Sequence, residues 1–302
     1  MRIAIVGKGA LGLLYADAVC SELGRDAVVF VMDAARLARH AKDAYTVNGQ
    51  PRDFADATPE RAGKADLVIV ATKATGLSAA LDLMGPLLRD DTPIVSVLNG
   101  VRSEEVIAGR FGWERVVPCV ARGMDAARYG CDLSYTKPGA LHVGRFERTP
   151  AATFERAREL MGRAGIPLVA ENDIRRTMWE KFVLNVGINQ CCAAYGLPYG
   201  GILGDQAAEP FRMLVAAMRE VVALARAEGV ELDDHVINVS IELELGLDQG
   251  STPSMGQDRI NRVPSEVDEF AGEVIRRAER HGILVPANRW LLERMRQIEA
   301  AY

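Results

Sequence analysis

Lys181, Asn185 and Asn189 recur every fourth position through the segment Arg176-Thr-Met-Trp-Glu-Lys-Phe-Val-Leu-Asn-Val-Gly-Ile-Asn-Gln. On an α-helix this spacing aligns an ammonium and two carboxamides in one stripe. An ammonium can give up a proton and steady negative charge as it develops on an oxygen. Trp179, Phe182, Val183, Leu184, Val186 and Ile188 occupy the other faces, so a buried helix would leave the stripe in need of partners such as a polar ligand. The plainer alternative is a solvent-facing stripe on an amphipathic helix.

A second chemical signal stands at the N-terminus. Arg2-Ile-Ala-Ile-Val is followed by Gly7, Gly9 and Gly12 in G-x-G-x-x-G spacing and then by a helical pattern. Strand, tight turn and helix in that order form a dinucleotide-binding fingerprint. The first glycine permits the turn, the second lets a pyrophosphate approach the backbone, and the third lets helix and strand pack closely. Lys8, Ala10 and Leu11 complete the hexapeptide, and the helix N-terminus offers N–H donors to phosphate.

The fingerprint also asks for an acidic residue about 20 positions on, where it would take the ribose hydroxyls. Asp33, ending Ala27-Val-Val-Phe-Val-Met, fits. A carboxylate there favours NAD over NADP because it repels a 2′-phosphate. Arg36 and Lys8 lie close in sequence and could offset it, and Asp33 would also serve as an N-cap for a helix starting near Ala34. Lys73 and Asn99 each end an apolar run, where open α/β sheets bind ligands. They could touch a cofactor or a substrate carboxylate; their plainer readings are a snorkelling lysine and an Asn-Gly turn.

The elements that must position these residues alternate through the first half. Asp66-Leu-Val-Ile-Val-Ala, a helix near 77–88, Pro93-Ile-Val-Ser-Val-Leu, a helix near 104–110 and Val116-Val-Pro-Cys-Val give the βαβ rhythm of a parallel sheet. Between Cys131 and Phe146 the pattern predicts a strand, a Pro138-Gly139 turn and a second strand added to the sheet edge. After Ile174 nearly everything reads as helix. The expected fold is therefore a Rossmann-type, doubly wound α/β domain over 1–170 followed by an all-α domain over 171–302. Near the end, Ser265 and Asp268 resemble a capping box opening a long helix that stops at Gly282, with Glu266 in its first turn.

The 302 residues are 49% hydrophobic and 25% charged with a net charge of −5. This is globular composition long enough for two cores, and the acidic balance argues against nucleic acid. No apolar run has the length of a membrane span, and Met1 leads directly into a strand, so a cytoplasmic protein is expected. Five cysteines without a C-x-x-C pair and four scattered histidines point to reduced thiols and no metal site. Phe211, Met213, Leu214, Val215 and Met218 leave room for a homodimer face or for core packing.

Taken together, the motifs resemble the ketopantoate (2-dehydropantoate 2-reductase) family nearly end to end. The resemblance is carried by Gly7-Lys-Gly-Ala-Leu-Gly, Thr72-Lys73, Leu98-Asn99-Gly100, Pro138-Gly139, Trp179-Glu-Lys181 with Asn185 and Asn189, Ser254-Met-Gly-Gln-Asp258, Ser265-Glu266-Val-Asp268 and Gly282-Ile-Leu-Val-Pro286. It implies a Rossmann domain joined to a helical domain of the 6-phosphogluconate dehydrogenase-like type, an active site in the cleft between them, and reduction of a keto acid with NADP(H) in pantothenate biosynthesis. By the same resemblance Lys181 is the catalytic acid and Glu266 orients it or the substrate. Asn185, Asn189, Ser254 and Asn99 would hold substrate, with Lys73 and Asn99 near the nicotinamide. Three departures touch that site: Asp33 stands where the family usually has an Arg for the 2′-phosphate, which leaves NAD(H) open; Ala271 replaces a common Asn; and Leu98 replaces a common Gln. The segment Met124–Arg128 is also unusual for the family, so a reductase of another 2-keto acid on the same fold is the alternative, followed by a dinucleotide-sensing protein without turnover.

Overall fold

The computed structural model describes residues 1–302, which form two compact units: 1–98 with 103–174, and 99–102 with 175–302. In the first unit six strands run parallel in the spatial order Ala55–Ala57, Val28–Val31, Ile3–Val6, Leu67–Val70, Ile94–Ser96, Val116–Val117. Ile3 pairs with Val28 on one side and with Leu67 on the other. The chain therefore winds outward in both directions from its first strand, and the switch point lies where Gly7 follows Val6.

The unbroken apolar strands reflect cover on both faces of the sheet. Ile3, Ile5, Leu67 and Ile69 enter one hydrophobic cluster, while Ala4, Val6, Val68 and Val70 enter the other. Alternation of side chains along a strand makes this division.

The segment after Cys131 departs from the expected edge hairpin. Asp132–Ser134 pairs antiparallel with Ala127–Tyr129 and parallel with Tyr45–Val47. Pro138–Val143 pairs antiparallel with Cys119–Met124 and parallel with Leu168–Ala170, in a separate sheet. The turn sits earlier than Pro138-Gly139, because the Asp125 carboxylate accepts from the N–H groups of Thr136 and Lys137, both at 2.8 Å. Pro138 then opens a strand, a position that tolerates the missing N–H. Gly139 has φ of 63°, and a Cβ there would lie 2.6 Å from the Met124 nitrogen, so glycine serves a close strand crossing rather than a turn.

From residue 174 onward the second unit is helical: Ile174–Tyr195, Tyr199–Leu203, Glu209–Ala227, His235–Leu245, Ser254–Ile260, Ala271–His281 and Pro286–Glu299. Trp179 and Phe182 meet edge to face at 5.7 Å, and Phe182 meets Phe270 at 6.4 Å, which buries the first of these helices on that side. Leu214 and Met218 belong to the core, while Phe211, Met213 and Val215 are half-buried. No helix is long and apolar enough to cross a membrane.

The expected capping box does not form. Residues 267–270 form a turn, and the helix begins only at Ala271 behind the fully buried Phe270. The backbone N–H of Ser265 donates to Glu299 Oε1 at 3.0 Å, its hydroxyl donates to the same carboxylate, and its oxygen accepts from the Val267 N–H at 3.3 Å rather than from Asp268. Gly282 ends the helix in the left-handed conformation, φ 65°. Glu266 consequently stands outside the helix, and the helix dipole no longer accounts for a carboxylate there.

Candidate functional site

In the first unit the strand Ile3–Val6 leads into Gly7, whose φ is 111°. A Cβ on Gly7 would lie 2.5 Å from the Ala71 carbonyl group, and one on Gly12 would run into the Gly7 carbonyl oxygen. Both glycines are demanded by the fold itself. Gly9 is different: a Cβ there would meet only the Ala71 oxygen, at 3.7 Å, an ordinary contact. Nothing within the protein explains glycine at that position, whereas close approach of a ligand to the backbone would. The helix Ala10–Leu23 starts immediately afterwards, so Ala10, Leu11 and Gly12 form its first turn and its leading N–H groups face the glycine turn.

A pocket of about 550 Å³ opens over this turn, lined by Gly7, Lys8 and Gly9, by Asp33, Arg36, Arg39 and His40, by Tyr45, Thr72 and Lys73, and by Arg128. Asp33 caps the helix Ala34–His40: its Oδ1 accepts from the Arg36 N–H at 2.7 Å while the Arg36 guanidinium stands 3.7 Å away. The capping reading of Asp33 holds, and the capping carboxylate also lines the pocket. Lys8 does not offset it; its ammonium is held by both oxygens of Asp56 at 2.7 Å and lies over the Tyr45 ring at 4.1 Å. Burial, together with a hydrogen bond to Asp43, pushes the Tyr45 phenol up and keeps it neutral. Lys73 is exposed at the pocket wall, just before the short helix Ala74–Gly76. Asp56, Tyr45 and Arg128, whose guanidinium bonds the Lys8 carbonyl, went unassigned by sequence reasoning. Only Arg128 carried a signal, as the end of the unusual run Met124–Arg128.

The second unit gathers the other six candidates. Lys181 Nζ donates to Asn99 Oδ1 at 3.1 Å, and Asn99 Nδ2 donates to Glu266 Oε2 at 3.5 Å. Asn189 Nδ2 donates to Asn185 Oδ1 at 3.2 Å, and the Ser254 hydroxyl donates to Asn189 Oδ1, also at 3.2 Å. Two short hydrogen-bonded runs thus share the stripe of one helix, with Asn185 and Asn189 buried and Lys181 half-buried. Asn99 stands beside Gly100, φ 99°, so it is a turn residue whose side chain is nonetheless committed to Lys181 and Glu266. Ala271 is fully buried, and its N–H donates to Gln190 Oε1 at 2.9 Å. Next to Glu266, burial raises the Glu269 carboxyl above its ordinary range while Arg102 opposes the shift.

Chemically, the first site offers a glycine turn, a helix N-terminus and charged walls to an elongated phosphate-bearing ligand. The second offers one cation, one carboxylate and several amide or hydroxyl groups to a small polar ligand. Residues 3–148 match the family model described as ketopantoate reductase PanE/ApbA, and residues 173–299 match that for the C-terminal part, ketopantoate reductase PanE/ApbA C terminal. A 2-dehydropantoate 2-reductase of Vibrio cholerae is 25% identical over 100% of this chain and 99% of its own. The crystal structure of 2-dehydropantoate 2-reductase from Geobacter metallireducens is 27% identical, superimposes with a TM-score of 0.84, and covers 98% of this chain and 99% of that one. A D-mandelate dehydrogenase solved with NADH and anilino(oxo)acetate has the same fold, with a TM-score of 0.86 at 21% identity over 100% of this chain and 99% of that one.

Proposed function

We propose that this chain, which belongs to the ketopantoate reductase family, is an NAD(P)H-dependent oxidoreductase that reduces the ketone of 2-dehydropantoate to (R)-pantoate, the alcohol precursor of pantothenate. The observation that carries the reading is the run Lys181–Asn99–Glu266, whose lysine shares one helix stripe with Asn185 and Asn189. A ketone reduction needs a proton at the carbonyl oxygen as hydride reaches the carbon, and a half-buried ammonium fixed by an amide can give it. The same cation stabilises the negative charge growing on that oxygen.

When bound, the nicotinamide cofactor supplies the hydride. Gly7, Gly9 and the first turn at Ala10, Leu11 and Gly12 would hold its pyrophosphate, Asp33 and Lys8 would face the adenosine half, and Lys73 would line the approach to the nicotinamide. The open backbone at Gly9 supports this fit. On the substrate side Lys181 acts as the acid and Glu266 orients Asn99 or the substrate hydroxyl. Asn185, Asn189 and Ser254 receive substrate oxygens. A homodimer in the cytoplasm is consistent with this reading and is required by no part of it.

One observation favours a second version. Asp33 lines the pocket wall, and a carboxylate facing the adenosine ribose would repel a 2′-phosphate and favour NADH, while Ala271 and Leu98 in place of the family's common residues favour a different 2-keto acid. The deciding experiment is oxidation of NADPH and of NADH with 2-dehydropantoate, wild type against Lys181→Ala. A loss of at least about a hundredfold in kcat/KM in the variant supports both the reaction and the acid. No turnover by a folded, cofactor-binding wild type would move the reading to another 2-keto acid.

A further inference from the structure

One buried guanidinium touches both segments that carry the Lys181–Asn99 pair. Arg277, 3% exposed, donates from Nη2 to the Val101 carbonyl at 3.2 Å, two residues beyond Asn99, and its plane lies over the Trp179 ring at 5.9 Å, two residues before Lys181. Its Nε donates to Glu273 Oε1 at 2.6 Å and its Nη1 to Glu228 Oε2 at 3.3 Å. Glu273 also receives Arg276 at 2.8 Å and the Arg102 Nε at 3.8 Å, and Arg102 reaches Glu269 at 3.4 Å. The short loop 99–102 is thus held at Val101 and at Arg102 by the helix Ala271–His281 and the turn before it.

A buried ion pair is a poor source of stability, because removing both charges from water costs about what their attraction returns. Its usual worth is in fixing one arrangement among several. Gly100, with φ of 99°, gives the loop a turn that would otherwise leave the Asn99 side chain loosely aimed. We propose that Arg277, with Glu273, is a positioning residue for the reduction: it fixes the loop so that the Asn99 amide stands between the Lys181 ammonium and the Glu266 carboxylate. The inference rests on the reading of Lys181 as the proton donor. Arg277 is buried and acts through Asn99.

Lysine cannot replace this group, since a single ammonium does not span Val101, Glu273 and Glu228 with a planar fork. Arg277→Lys leaves Glu273 and Glu228 poorly paired and could cost the fold. The double substitution Arg277→Met with Glu273→Leu removes both charges together and is the better tolerated change.

The test compares wild type, the double variant, Asn99→Ala and the triple combination. Steady-state kinetics with 2-dehydropantoate should show kcat reduced by about tenfold to a hundredfold in the double variant, with the cofactor KM unchanged. Asn99→Ala should give a similar loss, and the triple variant no further loss. The second readout is the pH titration of the Lys181 side chain by NMR of ¹³C-lysine-labelled protein, tractable because the chain has six lysines. Its midpoint should move in the double variant and in Asn99→Ala by the same amount. Wild-type kcat and an unmoved Lys181 titration in a folded double variant would overturn the proposal, as would losses that multiply in the triple variant. If wild type reduces no keto acid, the reductase reading fails while the Lys181 titration still decides whether Arg277 positions Asn99.

Discussion

Lys181 and Asn99, 82 positions apart in the chain, are joined by a hydrogen bond of 3.1 Å from the ammonium to the amide oxygen. The other end of the same amide points at Glu266, 3.5 Å away. An ammonium only donates and a carboxylate only accepts, so the two partners leave Asn99 one orientation: oxygen toward Lys181 and nitrogen toward Glu266. The amide is therefore a relay between the Glu266 carboxylate and the Lys181 ammonium.

Glu266→Gln tests that relay while keeping the shape of the side chain. Lys181 still requires the Asn99 oxygen and a glutamine still offers an oxygen to the Asn99 nitrogen, so the substitution removes the negative charge while leaving the amide orientation in place. The expected result is a fall in kcat of about tenfold to a hundredfold with the cofactor KM unchanged, read from initial rates at saturating NADPH. A variant with wild-type kcat would remove Glu266 from the site.

Asp33 does two things, and two substitutions separate them. Asp33→Asn keeps a side-chain oxygen for the Arg36 N–H and removes the charge that repels a 2′-phosphate. Asp33→Ala removes both, and loss of the cap costs about 1 kcal/mol. The ratio of kcat/KM for NADPH over NADH should rise by about tenfold in both, while the melting temperature falls clearly only for Asp33→Ala. An unchanged ratio in Asp33→Asn would mean that the carboxylate does not face the adenosine ribose.

The three glycines should respond differently to alanine. Gly7→Ala and Gly12→Ala drive a methyl group into backbone and should lower stability sharply, whatever ligand is present. Gly9→Ala meets nothing closer than 3.7 Å and should fold with a near wild-type melting temperature. Its dissociation constant for NADPH, followed by fluorescence titration, should nevertheless rise by about tenfold or more, because the methyl occupies the space a pyrophosphate needs. Undiminished affinity in Gly9→Ala would sink the assignment of the turn.

The parallel sheet was legible because strands covered on both faces need apolar residues throughout, and Ile3-Ala-Ile-Val shows that directly. The stripe at Lys181, Asn185 and Asn189 was legible because helical spacing alone makes it. Asn99 shows the limit: an Asn-Gly pair announces a turn, and only tertiary structure reveals that its amide is committed elsewhere. Ser265 misled because its N–H and hydroxyl go to Glu299, a distant carboxylate that no sequence window contains, and its oxygen takes the Val267 N–H rather than that of Asp268. Asp56 and Arg277 escaped for the same reason, since an acid in a short strand and an arginine in a charged helix look like surface until their partners are known.

Two buried carboxyls outside both candidate sites should shape stability against pH. Burial pushes Glu104 and Glu244 up from 4.5 to about 7 each. Glu104 receives a hydrogen bond from Ser103 at 3.0 Å, whereas Glu244 Oε2 has no partner. Below pH 4.5 both the folded and unfolded states hold these protons, and neither group affects stability. As pH rises the unfolded chain ionises first, so each group lowers stability progressively until about 7, where the folded state ionises too and the penalty levels off. Glu104→Gln and Glu244→Met remove the ionisation and should raise the melting temperature at pH 8 by ~2–6 °C each, with no gain at pH 4. Calorimetry at the two pH values measures this, and an equal gain at both would show that the benefit comes from packing rather than from the proton.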